Sequence, residues 1–339
     1  MQSGRRKGGT SCSIHIQVSY KNCRHLRQPG RPPAQILHGQ LGRAIQRALI
    51  VEYWGGLMLR LGVLCLMLSG FFDTAIADSA IERGDYLVNT ILACGNCHAA
   101  RDANGQIIAD KGLAGGRVFS TPAFIVATSN ITPDVETGIG GWTDAEIRRA
   151  LIEGVRPDRH RLPGVPLAAI MPANFYKALL PEDLDAIVAY LRSVKPVRNE
   201  VAGPVYKAPI HRDLYPDAEN GFDKSAFGDP VRRGAYLVTI GHCMECHTPR
   251  SRGVSDYKAE LGHGGREFPE GSKAPNITSD RTAGIGGWSD QEITRAITRG
   301  IARDGRMLKP PMGFSYYAGL KDADLADMIA YLRTVPPLQ

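Results

Sequence analysis

Apolar residues recur every three to four positions over 81–92 and again over 231–240, the period of one helix face. Thr143-Asp-Ala-Glu146 and Ser289-Asp-Gln-Glu292 have the form of capping boxes. In such a box the hydroxyl accepts the N3 backbone N–H and the Glu side chain reaches back to the cap. An amphipathic helix is expected after each box, and a last helix over 182–194 and over 322–335. No stretch alternates with a period of two for long enough to defend a strand, so the pattern predicts an all-α chain.

The helices are laid out twice. Asn130-Ile-Thr-Pro-Asp-Val-Glu-Thr-Gly-Ile-Gly-Gly-Trp142 is matched by Asn276-Ile-Thr-Ser-Asp-Arg-Thr-Ala-Gly-Ile-Gly-Gly-Trp288. Arg83-Gly84-Asp-Tyr86 upstream is matched by Arg233-Gly234-Ala-Tyr236, and Tyr190-Leu-Arg192 downstream by Tyr331-Leu-Arg333. Two copies of about 110 residues describe duplicated domains rather than a solenoid, whose repeats are shorter and more numerous. The boundaries expected are 78–195 and 231–339. Residues 196–230, with Pro204, Pro209 and Pro216 and no sustained apolar period, read as an extended linker.

Ahead of the repeat, a charge-poor apolar run follows Met58 and Arg60 and ends at Ala75-Ile-Ala77. A basic start, an apolar run of roughly 12 residues and an A-x-A site describe a secretory signal peptide. The run is short for a membrane span of about 20 residues; an uncleaved anchor is the competing reading. Met58 is then the expected start, and 1–57 is either an N-terminal extension or upstream sequence.

This changes the meaning of the charge. The chain of 339 residues has a formal net charge of +7, which taken alone invites a nucleic-acid or membrane-surface reading. Residues 1–57 hold nine Lys and Arg against the single acid Glu52. From Asp78 onward 31 basic residues face 32 acidic ones, a net of −1. The nucleic-acid reading disappears, and membrane association is expected only through an uncleaved signal or a partner.

Each copy carries Cys-x-x-Cys-His: Cys94-Gly-Asn-Cys97-His98 and Cys243-Met-Glu-Cys246-His247. This is the attachment pattern of c-type haem. Two thiols about one helical turn apart can add to the two vinyl groups of one porphyrin, and the next residue places an imidazole under the iron. A zinc ribbon needs its Cys pairs roughly 15–20 residues apart; here they lie 149 apart. A thiol redox motif needs no His. The sequence therefore calls for two covalently bound haems, which consume all four Cys after Asp78. Cys12, Cys23 and Cys65 lie in the segments expected to be absent from the exported protein.

A second axial ligand is expected from a loop before the last helix. Met171 lies 19 residues before Tyr190, and Met312 lies 19 residues before Tyr331. A thioether favours reduced iron and raises the potential; the alternative is that each Met fills core space. His160 competes with Met171. Met307 competes with Met312, but its aligned partner is Arg161, which ranks it low. His211, His242 and His263 have no equivalent in the other copy and are expected on the surface or in loops.

With these residues in place, each copy resembles a class I cytochrome c domain, giving two tandem domains joined by a Pro-rich linker. The resemblance implies that a Gly of the first helix packs against an aromatic of the last, at Gly84 with Tyr190 and Gly234 with Tyr331. The Asn-Ile-Thr…Gly-Ile-Gly-Gly-Trp segment resembles the di- and tri-haem cytochrome subunits of bacterial periplasmic alcohol and gluconate dehydrogenases. It implies that Trp142 and Trp288 lie near the haem edge, contacting propionates or filling core. Unlike the tri-haem subunits, this sequence has two haem motifs, and no apolar anchor is read after Val335.

The function expected is a periplasmic di-haem carrier of single electrons between a redox donor and acceptor, without catalysis of its own. The nearest alternative is an electron-transfer subunit of a membrane-associated dehydrogenase complex. A di-haem peroxidase-like enzyme is a third reading, opposed by a Met ligand in both copies, because peroxide chemistry needs an open iron.

Overall fold

The computed structural model describes residues 79–157, 165–269 and 271–339. The extension, the signal segment and His160 lie outside the described residues. Helix α1 spans 79–86 and continues into a wide π turn at Leu87–Ile91. There follow α2 (Cys94–His98), α3 (Asp144–Glu153), α4 (Ala173–Tyr176) and α5 (Pro181–Ser193). After α6 (Pro216–Asn220) the series returns as α7 (Pro230–Ile240), α8 (Cys243–His247), α9 (Asp290–Arg299), α10 (Phe314–Tyr317) and α11 (Asp322–Leu332).

Both capping boxes form as expected. Thr143 and Ser289 accept the backbone N–H of Glu146 and Glu292, and each Glu bonds back to the cap N–H. The close approach of first and last helices is also present. A Cβ placed on Gly84 would lie 2.0 Å from the Ala186 carbonyl oxygen and 2.6 Å from Tyr190 Cβ. On Gly234 it would lie 1.9 Å from the Asp327 carbonyl oxygen and 3.0 Å from Tyr331 Cβ. Only a residue without Cβ allows these crossings.

The chain is mostly helical, but the all-α expectation misses a small antiparallel sheet. β1 (Val118–Ser120) pairs with β2 (Phe124–Ala127), and β2 pairs with β3 (Val205–Tyr206). Strands of two to four residues are too short for a period of two to stand out. The third comes from the segment expected to be an extended linker. That segment also contributes α6, and it buries Tyr215 to 1 % exposure. The Tyr215 ring sits 4.6 Å from Phe175 and 5.1 Å from Tyr257. Asp213 in the same segment accepts the Ser255 N–H at 3.0 Å. Isolated anchors of this kind leave no periodic trace.

The described residues belong to one compact unit, and helices of the two halves pack across it. α4 packs on α7 and α10 on the π turn of α1, so each half rests its short fourth helix on the first helix of the other. No helix among the described residues is long and apolar enough to cross a membrane.

Candidate haem-binding sites

Both Cys-x-x-Cys-His segments fold as single helical turns entered from strained backbone. Ala93 has φ 46° and His242 φ 43°, the left-handed region that residues with a Cβ rarely adopt. The kink lets α2 and α8 turn sharply off the preceding helices, at matching points of the repeat. Arg117 donates to the Asn96 carbonyl at 2.9 Å, and Arg266 to the Glu245 carbonyl at 2.5 Å, which pins the turn in each half.

The imidazoles are oriented identically. His98 Nδ1 lies 2.8 Å from the Ser129 carbonyl, and His247 Nδ1 lies 2.8 Å from the Pro275 carbonyl. A carbonyl only accepts, so Nδ1 carries the proton and the Nε2 lone pair is left for a metal. Burial pulls both imidazole pKa values below the ordinary value, which keeps the ligand form neutral. None of the four cysteines is in a disulfide. Burial pushes the thiols of Cys94, Cys243 and Cys246 up to about 12 and raises that of Cys97. They are neutral thiols, not nucleophilic thiolates.

In the first half these groups open onto one cavity of about 320 Å³, lined by Cys94, Cys97, His98, Trp142 and Met171 among apolar side chains. Met171 thus shares the cavity with the imidazole. Phe119 and Val126 of the sheet close one wall. Met312 stands in the same kind of turn as Met171: the Ala173 N–H donates to the Met171 carbonyl at 2.8 Å, and the Phe314 N–H to the Met312 carbonyl at 3.1 Å. Met307 is 64 % exposed. Among the described residues no group of three or more His, Cys, Asp and Glu converges to hold a bare metal ion. Two half-buried thiols, an imidazole committed at Nδ1, a thioether and an apolar cavity fit a covalently attached haem.

Trp142 lines this cavity, and Trp142 and Trp288 both pack against the core. Arg192 on α5 and Arg333, which caps the C-terminus of α11, donate to the carbonyls of Trp142 and Trp288. Asn130 and Asn276 staple the same loops to the chain after the last helix, donating at 2.7 Å to the carbonyls of Val197 and Leu338. The Asn-Ile-Thr…Trp segment is therefore the scaffold of the first site's wall, and its repeat is fastened in the same way.

Three residues of the site region escaped the sequence reading. Tyr176 is buried beside Cys94 and Cys97, and Tyr317 is half-buried beside Cys243, Cys246 and Cys97. Burial pushes both phenols up, so they stay protonated. Their matched positions, 141 apart, were the available signal. His242, expected on the surface or in a loop, is half-buried, packs edge-on against Tyr176 with ring centres 6.0 Å apart, and with Tyr317 lines the first cavity. The neighbourhoods of the two Cys pairs thus meet.

The family model for cytochrome c matches residues 231–336. A diheme cytochrome c-type protein of Cereibacter sphaeroides is 32% identical over 262 residues, covering 73% of this chain and 83% of its own. The fructose dehydrogenase cytochrome subunit of Gluconobacter japonicus is 33% identical over 278 residues, covering 76% of this chain and 53% of its own. The gluconate 2-dehydrogenase cytochrome c subunit of Pantoea cypripedii is 31% identical over 253 residues, covering 69% and 54%. The chain thus spans little more than half the length of these dehydrogenase subunits.

Proposed function

The chain belongs to the cytochrome c family, and from that premise we propose that it is a periplasmic di-haem carrier of single electrons. In this reading residues 78–195 and 231–339 are tandem class I domains joined through 196–230, and residues 58–77 are the export signal. Cys94 and Cys97 hold one haem and Cys243 and Cys246 the other. His98 with Met171, and His247 with Met312, are the axial ligands.

The observation that carries the proposal is the pair of imidazoles fixed at Nδ1 by a backbone carbonyl, each directly after two half-buried thiols. Haem held this way supplies one-electron chemistry at its iron. The protein's own part is to hold and tune. The carbonyl–imidazole bond sets the ring plane and raises ligand basicity. The thioether favours the reduced state. The apolar walls exclude water, and with both axial positions filled no place is left for a substrate.

The names of the relatives favour a dehydrogenase as electron donor, with this chain as an electron-transfer subunit of a membrane-associated complex. The test is expression with c-type haem maturation, followed by haem quantitation and a redox titration. Two haems per chain, each reversibly one-electron active and without peroxide turnover, are expected. One haem, or peroxide turnover, would refute the reading. Co-purification of a dehydrogenase separates the subunit from the free carrier.

A further inference from the structure

The turn between Cys94 and Cys97 touches the opposite half of the chain beside a ligand assigned to the other site. Asn96 Nδ2 donates to the Pro311 carbonyl at 2.8 Å, and Pro311 directly precedes Met312. The contact continues past that bond. A Cβ on Gly313 would lie 3.5 Å from Asn96 Nδ2 and 3.6 Å from Ala93 Cβ, and one on Gly95 would lie 2.7 Å from Tyr316 Oη. Residues 311–316 therefore lie across residues 93–96. Asn96 is itself held from its own half, because Arg117 fixes its carbonyl.

The contact has a direction. The residue matched to Asn96 in the second turn is Glu245, whose carboxylate has no N–H to give and instead pairs with His242 Nδ1 at 3.3 Å. The second site's methionine loop is thus hydrogen-bonded to the first site's Cys-x-x-Cys turn, by a residue type the second turn does not carry.

We infer that Asn96 is a positioning residue for Met312, so that methionine ligation at the second site depends on the seating of the first site's attachment turn. Met312 lies outside regular structure, between Pro311 and the first residue of α10. A ligand on such a segment is only as well placed as the contacts that seat it, and the Asn96 amide supplies one at the adjacent carbonyl. The inference rests on the reading of Met312 as an iron ligand.

The test uses the holoprotein with both haems, in two backgrounds that make the red Met-to-iron absorption band report one site each. Met171→Ala leaves the band of the second site, and Met312→Ala that of the first. Imidazole is then titrated until it displaces methionine and bleaches the band. Asn96→Asp removes the donor at nearly constant size, and Asn96→Ala removes it without adding charge. Either is expected to lower the imidazole midpoint about fivefold in the Met171→Ala chain, the effect of losing one ordinary hydrogen bond, and to leave it unchanged in the Met312→Ala chain. An unmoved midpoint in the first background, or a shift confined to the second, would overturn the inference. No band at all in the Met171→Ala chain before Asn96 is touched would instead overturn the ligand assignment beneath it.

Discussion

Tyr86 on the first helix of one half donates a 2.6 Å hydrogen bond to Asp324, at the N3 position of the last helix of the other half. The arrangement is reciprocal, because Tyr236 donates to Asp183 at 2.6 Å. Each phenol oxygen also accepts a backbone N–H at the start of the helix it touches, from Lys321 at 3.0 Å and Leu180 at 3.3 Å. Arg83 makes two 2.8 Å bonds to Asp183 within its own half, and Arg233 pairs with Asp324 and Asp327. Two Arg–Asp–Tyr chains thus cross the junction between halves. Both Asp side chains are buried, where a lost partner is costly. Tyr86→Phe and Tyr236→Phe are each expected to destabilise the holoprotein by about 1.5–3 kcal/mol, the range for a hydrogen bond to a charged group. Urea unfolding checks this. Changes within about 0.5 kcal/mol, typical of surface substitutions, would show that the bonds do not hold the halves together.

Gly84→Ala and Gly234→Ala should act at the helix crossings themselves. The added methyl meets backbone oxygens of the last helices at 2.0 and 1.9 Å, and backbone cannot swing aside as a side-chain tip can. Each substitution is expected to cost about 1–3 kcal/mol, read as a lower melting temperature of the holoprotein. Gly105→Ala is a control of a different kind: no atom lies within 4 Å of its added methyl, and only its positive φ of 79° resists.

Much of this was legible because the signals are local. The capping boxes and the Cys-x-x-Cys-His turns follow from spacing and residue type within one copy, and the Gly84 and Gly234 crossings are what the resemblance to class I cytochrome c domains implies. Repetition aligned Met171 with Met312 and could have aligned Tyr176 with Tyr317. The sheet escaped because its strands run two to four residues, and Tyr215 because a single anchor has no period. The crossed packing of α4 on α7 and α10 on α1 was illegible for a deeper reason. When two copies present nearly the same surfaces, sequence cannot say whether a helix docks on its own half or on the other. Asn96 acquires its partner at Pro311 only through that choice.

Three methionines provide an internal comparison. Met171 lines the first cavity and Met312 occupies the equivalent turn, whereas Met307 is exposed. Since a thioether stabilises reduced iron, Met171→Ala and Met312→Ala should each lower the potential of one haem and remove its share of the red absorption band. Met307→Ala should change neither. Spectroelectrochemical titration decides it, and a normal band in both Met171→Ala and Met312→Ala would refute both assignments.

The loops that carry the tryptophans make the fold acid-sensitive. Asp134 accepts the backbone N–H and the hydroxyl of Thr137, both at 2.7 Å, and Asp280 accepts the N–H groups of Thr282 at 2.8 Å and Ala283 at 2.6 Å. These bonds hold both carboxyls below their ordinary value of 3.8. A carboxyl depressed in the fold contributes stability above its unfolded pKa and loses it as pH falls through the folded one. Asp217, raised by burial, runs the other way but stands alone against these two and the similarly depressed Asp256 and Glu292. The melting temperature of the holoprotein should therefore hold down to about pH 4 and then fall. Asp134→Asn and Asp280→Asn remove the titration, so each should start lower at neutral pH and decline less below pH 4. A decline parallel to the parent protein would mean that these turns do not limit acid stability. Because Ile139 and Trp142 of the first loop line the cavity, the Soret band should shift along with the melting temperature rather than after it.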